Sequence, residues 1–138
     1  MHIKEIMHDT TVVTPETSVL ELSKMMRDKT IGSVLVHVSD RKYGIITERD
    51  VLSKVIAGGL DPSSAKASDI MTELRYTIDA NASIQEASGI FNSQRIRRLP
   101  VVENGKIIGI ITTRDVAKKW QYNYFTTKQR YAGASRVR

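Results

Sequence analysis

A nearly identical segment occurs twice in this chain of 138 residues. It reads Gly-Ile-Ile-Thr-Glu-Arg-Asp at 44–50 and Gly-Ile-Ile-Thr-Thr-Arg-Asp at 109–115, 65 positions apart, and a valine follows each copy. A Ser-x-x-Glu capping box, which marks the start of a helix, recurs at the same interval at Ser18 and Ser83. Either a duplicated structural unit or a duplicated binding site would produce this agreement. Both possibilities predict two copies of one fold element.

The residues around each copy predict the same order of strands and helices. A short strand at Val12-Val13 precedes the first capped helix, and two β-rich segments follow each helix. In the second copy Asn104-Gly105 joins these segments, and both positions suit the positive φ angles of a type I′ hairpin turn. A second helix closes each copy. The order is therefore β-α-β-β-α, written twice.

The second helix of the first copy has an apolar stripe at helical spacing. Val51, Leu52, Val55 and Ile56 are predicted to form its buried face. Gly58-Gly59 is predicted to end it.

The predicted fold class is α/β (α+β), with two β-α-β-β-α repeats packed sheet to sheet about a pseudo-twofold axis. One repeat of about 55 residues would bury too little surface to be stable alone, so the pair is expected to share a core. The predicted boundaries are repeat 1 at 3–58, a linker at 59–67, repeat 2 at 68–122 and a tail at 123–138.

Composition narrows the class of protein. Cysteine is absent, which excludes disulfides, thiol nucleophiles and thiolate metal sites. No apolar run has the length of about 20 residues that a membrane helix needs, and the first ten residues do not resemble a secretory signal. We therefore expect a cytoplasmic protein without a membrane partner. The net charge of +6 lies entirely in residues 117–138, because acidic and basic residues balance over 1–116.

The repeated segment spans the end of a strand and the start of a helix. Thr47 is predicted to be the N-cap with Asp50 at the third helical position, and Thr112 and Asp115 repeat the pair. Such a pair can simply cap a helix. It can also bind a nucleotide, with phosphate at the helix N-terminus and ribose hydroxyls on the aspartate. The glycine that begins each segment would let a ligand approach the backbone.

The pattern Ile-Met, Val-Thr-Pro, Ser-x-x-Glu and Gly-Ile-Ile-Thr-x-Arg-Asp resembles a tandem pair of CBS (cystathionine-β-synthase) domains, a Bateman module, over residues 3–122. The resemblance implies a homodimer that senses adenosyl compounds in clefts between the repeats. AMP is the expected ligand, with ADP or ATP as alternatives and S-adenosylmethionine less favoured. The resemblance nominates these ligand-binding residues: Val13, Thr14, Thr47, Arg49, Asp50, Ile78, Arg97, Arg98, Pro100, Thr112, Arg114 and Asp115.

The two repeats differ at one pair of these positions. Repeat 1 has Gly32 and Ser33 where repeat 2 has Arg97 and Arg98. Arginine binds phosphate oxygens through its planar fork, so the two clefts are expected to differ in affinity for a charged nucleotide. The arginine pair is predicted to serve the cleft whose ribose aspartate is Asp50, and a solvated charged surface is the alternative.

Two other functions are open. Five of the eight aromatic residues lie among the basic residues of 118–138, a composition used by single-stranded nucleic-acid binders. A nucleic-acid-binding dimer and a purely structural dimerisation module are therefore alternatives to the sensor. No catalytic constellation or metal-binding spacing is present in the sequence, so an enzyme and a metal site are not expected. Because no effector domain is recognisable in the sequence, we expect the sensor to regulate another protein or the partner of the basic tail.

Overall fold

The computed structural model describes residues 1–119, which form two compact units. One unit is Thr10–Arg75, and the other combines Met1–Asp9 with the chain from Tyr76 onward. The predicted tail at 123–138, with its proposed nucleic-acid contacts, lies outside the described residues. Within residues 1–119, no helix combines the length and the apolar character needed to cross a membrane.

The unit Thr10–Arg75 contains a four-stranded sheet in the order β1-β2-β3-β4. β1 pairs in parallel with β2, and the other two pairings are antiparallel. α2 begins as an α-helix and continues as a π-helix. The elements in chain order are β1 (Val12–Val13), α1 (Val19–Lys29), β2 (Ser33–Ser39), β3 (Lys42–Thr47), α2 (Glu48–Asp50, then Val51–Ile56), α3 (Ala67–Ile70) and β4 (Thr72–Glu73).

The second unit repeats this arrangement with a three-stranded sheet in the order β5-β6-β7. β5 is parallel to β6, and β6 is antiparallel to β7. Its elements are a 3₁₀ turn (Ile3–Glu5), β5 (Ile78–Asp79), α4 (Ile84–Gln94), β6 (Arg98–Glu103), β7 (Lys106–Thr112) and helix α5 over residues 113–119. The predicted α/β class and the β-α-β-β-α order are confirmed. The packing of the two repeats about a pseudo-twofold axis stays a prediction.

The serine N-caps and the hairpin turn have the geometry that their residues predict, and the serine half of each predicted capping box is confirmed. Ser18 and Ser83 accept hydrogen bonds from the backbone N–H groups of Glu21 and Glu86, each at 3.1 Å. The β6-β7 hairpin turns at Asn104 and Gly105, whose φ angles are 52° and 77°. Both angles lie in the left-handed region that a type I′ turn requires.

Each unit has its own apolar core. The core of Thr10–Arg75 includes Leu22 and Met26 from α1, and the second core includes Ala87 and Phe91 from α4. These pairs occupy equivalent positions in the two repeats. Compared with repeat 1, repeat 2 has a smaller side chain at the first position and a larger one at the second. This compensation is consistent with cores filled to similar density.

The segment that begins each repeat packs on the sheet of the other repeat. His8 and Ile110 exchange backbone hydrogen bonds at 3.0 and 2.9 Å, so His8 lies at the open edge of β7, while the Ile3 N–H donates to the Ala82 carbonyl at 2.9 Å. In the same way β4, which follows Ile70, pairs with β3. The compact units are consequently offset from the sequence repeats, because Met1–Asp9 belongs with repeat 2 and 67–75 with repeat 1.

The prediction for the buried face of α2 is wrong in part. Val55 is fully buried and Val51 is half-buried, but Leu52 and Ile56 are 63% and 61% exposed. A helix that lies on one side of a sheet buries a narrow stripe, and Val51 and Val55 occupy it. The helix ends as predicted, since a Cβ on Gly58 would be 2.2 Å from the Lys54 carbonyl oxygen and Gly59 has a φ of 72°.

Candidate functional site

The first copy of the repeated segment forms what we term the Thr47 corner, at the junction of β3 and α2. Thr47 Oγ1 accepts from the backbone N–H of Asp50 at 3.3 Å. Asp50 Oδ2 accepts in return from the Thr47 backbone N–H at 2.9 Å and from its hydroxyl at 3.1 Å. The other carboxylate oxygen, Oδ1, lies 3.3 Å from Lys54 Nζ. The predicted N-cap and the acid one turn into the helix are therefore confirmed as a reciprocal capping box.

The second copy forms the Thr112 corner with almost the same geometry. Thr112 Oγ1 accepts from the Asp115 N–H at 3.2 Å, and Asp115 Oδ2 accepts from the Thr112 N–H and hydroxyl at 2.8 and 3.0 Å. The same oxygen lies 3.1 Å from His8 Nδ1. The two corners thus differ in the basic group that faces the carboxylate, a lysine in one and a histidine in the other.

Few N–H groups remain at either helix N-terminus. The Glu48 N–H donates to the Gly32 carbonyl at 3.1 Å, and the Thr113 N–H donates to the Arg97 carbonyl at 2.9 Å. The capping boxes use the N–H groups of Asp50 and Asp115. In the first turn of each helix, only the N–H of Arg49 or of Arg114 is unused by these contacts. Each corner therefore offers a phosphate group fewer backbone N–H donors than an uncapped helix N-terminus would.

The glycines of the repeated segments make room for the protein's own methionines. A Cβ on Gly44 would be 2.6 Å from Met71 Sδ, and a Cβ on Gly109 would be 2.8 Å from Met7 Sδ. On the side of each glycine where a Cβ would lie, the methionine of an Ile-Met pair fills the space. The hypothesis that these glycines let a ligand approach the backbone is therefore wrong for that side.

The register of β6 places Arg98 beside the Thr112 corner. Arg98 is the β-pair partner of Thr112, as Ser33 is of Thr47, and the Arg98 side chain is half-buried. Arg97 is exposed. A guanidinium thus lies on the strand beside the Thr112 corner and a hydroxyl beside the Thr47 corner. The assignment of the arginine pair to the cleft of Asp50, and its role in phosphate binding, stay predictions.

The other nominated residues fall into two groups. Val13, Ile78 and Pro100 are buried, so any ligand contact at these positions would come from the backbone or from adjacent residues. Thr14, Arg49 and Arg114 are exposed, and the Thr14 hydroxyl lies 3.0 Å from that of Thr17. All of these remain predicted ligand residues.

His8 and Lys54 are members of the corners that were not among the residues predicted from the sequence. His8 lies 107 positions before Asp115 in the chain, and its approach depends on the N-terminal segment reaching β7. Lys54 could have been found, because it follows Asp50 by four positions, a spacing that brings helical side chains together. Within residues 1–119, His, Asp and Glu side chains do not gather in threes as a metal site would need.

Removal of the Thr47 hydroxyl tests the capping role of the first corner. Thr47→Ala is expected to lower the free energy of unfolding by about 1 kcal/mol, because the Asp50 N–H loses its partner. Thr47→Ser keeps the hydroxyl and is expected to stay within about 0.5 kcal/mol of the wild type. Urea unfolding followed by circular dichroism measures both changes. An equal loss in the two variants would contradict the capping role.

Comparison with known proteins gives consistent matches. The sequence profile of the CBS domain matches residues 3–57 and 67–122. Hypoxic response protein 1 of Mycobacterium tuberculosis is 37% identical over 97 residues, which cover 70% of this chain and 68% of that protein. The structure of the hexameric CBS-CP12 protein from bloom-forming cyanobacteria has a TM-score of 0.79 and 27% identity, covering 90% of this chain and 73% of that one.

An enzyme also contains a similar region. The inosine-5′-monophosphate dehydrogenase of Korarchaeum cryptofilum is 34% identical over 122 residues, which cover 88% of this chain but 24% of the enzyme. The similarity to that enzyme is therefore partial. The profile matches extend over most of the described residues, and each match contains one Thr-Asp corner. The chain belongs to the CBS domain family, as a pair of CBS domains.

Proposed function

We propose that this protein is a non-enzymatic regulatory module that binds an adenine nucleotide through its Thr-Asp corners. AMP is the first candidate, and ADP and ATP carry the same adenosine group. Binding would favour one of two conformations and so change the affinity for a regulated protein. The cytoplasm is the compartment in which we expect this to occur.

The duplication of the whole corner is the observation that carries the proposal. A helix cap alone requires one side-chain acceptor, and Ser18 and Ser83 show that this chain also caps helices with a serine hydroxyl. The corners instead repeat a threonine, an arginine and an aspartate in both units. Each aspartate uses Oδ2 for the cap, so Oδ1 is the oxygen that would accept from vicinal ribose hydroxyls. At the Thr47 corner Oδ1 of Asp50 also lies 3.3 Å from Lys54 Nζ, so a ribose there would share this oxygen with the lysine.

The charges near the corners support unequal sites. Arg98 is in register with Thr112, whereas the uncharged Ser33 is in register with Thr47. A nucleotide phosphate is expected to bind more strongly where the guanidinium is available.

Isothermal titration with AMP is expected to resolve two affinities that differ by at least tenfold. Two equal and independent sites would contradict this asymmetry.

A thermal-shift panel with AMP, ADP, ATP, NAD and S-adenosylmethionine tests the proposed function. A ligand at 100 times its Kd stabilises the folded protein by about 2.7 kcal/mol. We therefore expect at least one adenine nucleotide to raise the Tm by several degrees. A panel in which no compound raises the Tm would refute the proposal.

Asp50→Asn and Asp115→Asn separate the ligand role from the cap. The asparagine side-chain oxygen can still accept the threonine N–H, so the Tm without ligand is expected to change little. The negative charge and one acceptor oxygen are lost, so the nucleotide-dependent rise in Tm is expected to shrink or disappear. A full nucleotide response in the double variant would show that these carboxylates do not hold the ribose.

Self-association is a separate part of the proposal. The cyanobacterial relative is described as hexameric, which supports the expectation that this chain also assembles with copies of itself. A homodimer is the smallest such assembly and the commonest.

A further inference from the structure

Arginines of the second unit are concentrated at one end of its sheet. Because β5 and β6 are parallel, α4 carries the chain back to the end where β6 begins, and the antiparallel strand β7 finishes at this end. Arg95 is the C-cap of α4. The Thr113 N–H donates to the Arg97 carbonyl at 2.9 Å, which joins the start of α5 to the same end. Four arginines therefore lie there, namely Arg95, Arg97, Arg98 and Arg114.

A lysine on α5 extends this group along the helix. Lys118 follows Arg114 by four positions, a spacing that places two side chains on the same face of a helix. Because a helix rises by about 1.5 Å per residue, Lys118 lies about 6 Å further along the axis than Arg114. We call these five residues the basic track: Arg95, Arg97, Arg98, Arg114 and Lys118.

The positive charge of the basic track is not neutralised by neighbouring acids. Arg98 is half-buried and the other four side chains are exposed. Within residues 1–119 these five side chains form no ion pair and no side-chain hydrogen bond. The adjacent acid Asp115 is engaged by Thr112 and His8. The track is therefore open to an anionic partner.

The equivalent positions of repeat 1 carry little charge. Arg49 occupies the position of Arg114, and the other four positions hold uncharged residues, namely Thr30, Gly32, Ser33 and Ser53. Five positive charges in repeat 2 thus correspond to one in repeat 1. Since both repeats form the same elements, the fold does not require the basic track.

The sequence beyond the described residues continues the basic composition. Residues 120–138 contain four basic residues and no acid. They also contain five of the eight aromatic residues of the chain. Proteins that bind single-stranded nucleic acid combine basic residues, which contact phosphates, with aromatic residues, on which bases stack. An acidic peptide would match the charge but not the aromatic residues.

We infer that the basic track binds the phosphates of single-stranded nucleic acid, whose bases stack on aromatic residues of 120–138. This function is additional to the proposed nucleotide binding and does not depend on it. Arg97, Arg98 and Arg114 are also nominated for the nucleotide phosphate. Arg95 and Lys118 are not, so their substitution tests the track by itself.

Fluorescence anisotropy with a labelled oligouridine of about twelve nucleotides tests the track. The full-length protein is expected to bind this probe with a Kd in the micromolar range at low salt. Arg95→Gln/Lys118→Gln is expected to raise the Kd by roughly tenfold or more. The slope of log K against log salt concentration is expected to become shallower by about 1.4, because two phosphate contacts are lost.

Arg41→Gln/Lys42→Gln is the matched control. It removes the same charge from exposed residues of the β2-β3 hairpin, in the other unit. The Kd is expected to change by less than about threefold, since distant exposed charges are screened by salt. Cooperative melting by circular dichroism checks that each variant is folded.

Trp120 supplies an independent measurement, because it is the only tryptophan of the chain and follows residue 119 directly in the sequence. Titration with the oligouridine is expected to quench its fluorescence through base stacking. Poly-glutamate carries negative charge but no bases, so it is expected to leave the fluorescence unchanged and to compete weakly for the track.

Three results would overturn the inference: no binding of the oligouridine, equal Kd values for the two double variants, or poly-glutamate that competes and quenches as well as the oligouridine. The last of these would indicate an acidic protein as the partner. The rise in Tm with AMP is expected to be the same for Arg95→Gln/Lys118→Gln as for the wild type. Failure of nucleic-acid binding and failure of the sensor role are therefore distinguishable.

Discussion

Replacement of Gly109 with alanine is expected to lower the free energy of unfolding by about 1–3 kcal/mol. The new Cβ would lie 2.8 Å from Met7 Sδ and 2.9 Å from the His8 backbone oxygen. The methionine can adopt another rotamer, but the His8 carbonyl accepts a hydrogen bond from Ile110 at 2.9 Å. Relief of the overlap therefore requires the N-terminal segment to move away from β7. Urea unfolding followed by circular dichroism measures the loss.

Gly44→Ala is the matched variant in the other unit. Its three nearest atoms all belong to the Met71 side chain, at 2.6, 3.0 and 3.1 Å. A double-mutant cycle with Met71→Ala is therefore expected to show strong coupling, because alanine removes the two closest atoms, Sδ and Cγ, and leaves only the Cβ at 3.1 Å. The cycle of Gly109→Ala with Met7→Ala is expected to show weaker coupling, since the backbone contact remains. Equal coupling in the two cycles would contradict the role of the His8 carbonyl.

Leu22→Ala is expected to have the largest effect, a loss of about 2–5 kcal/mol. Leu22 is fully buried in the core of Thr10–Arg75, and its removal leaves a cavity beside Met26. We expect a lower midpoint of urea unfolding, with an unchanged dependence of the free energy of unfolding on urea concentration. This combination indicates lower stability without a change in compactness.

The second unit suggests a compensating substitution. It has Ala87 at the position of Leu22 and Phe91 at that of Met26. Leu22→Ala/Met26→Phe is therefore expected to recover part of the lost stability, and Met26→Phe alone is expected to destabilise by overpacking. Additive effects of the two substitutions would show that side-chain volume at one of these positions does not compensate for volume at the other.

The order of elements could be predicted because its signals are local. A capping serine, the Asn104-Gly105 turn and the spacing of apolar residues each act within a few positions of the chain. The partner of an edge strand is not a local property. Nothing near His8 in the sequence indicates that it pairs with Ile110. The sequence therefore does not predict that the Ile-Met segment of each repeat packs on the sheet of the other repeat.

The same distinction applies to the candidate site. The reciprocal bonds of Thr47 with Asp50 follow from three-residue spacing, and the structure confirms them. The approach of His8 to Asp115 depends on the tertiary fold. Periodicity predicts which α2 residues are apolar, but it does not determine what covers them. For this reason Leu52 and Ile56 were expected in the core and are instead exposed.

The exchanged N-terminal segment has a consequence for the order in which this protein can fold during synthesis. The unit Thr10–Arg75 is contiguous, so all of its residues are available for folding once Arg75 leaves the ribosome. Residues 1–9 are translated before this unit, yet they pair with residues 80–83 and with β7, which ends at Thr112. Ile3, which is completely buried in the finished protein, must therefore remain exposed while about a hundred later residues are added. In a crowded cell this interval is the time at which the nascent chain is most open to chaperone binding or to misassembly with a neighbouring nascent chain.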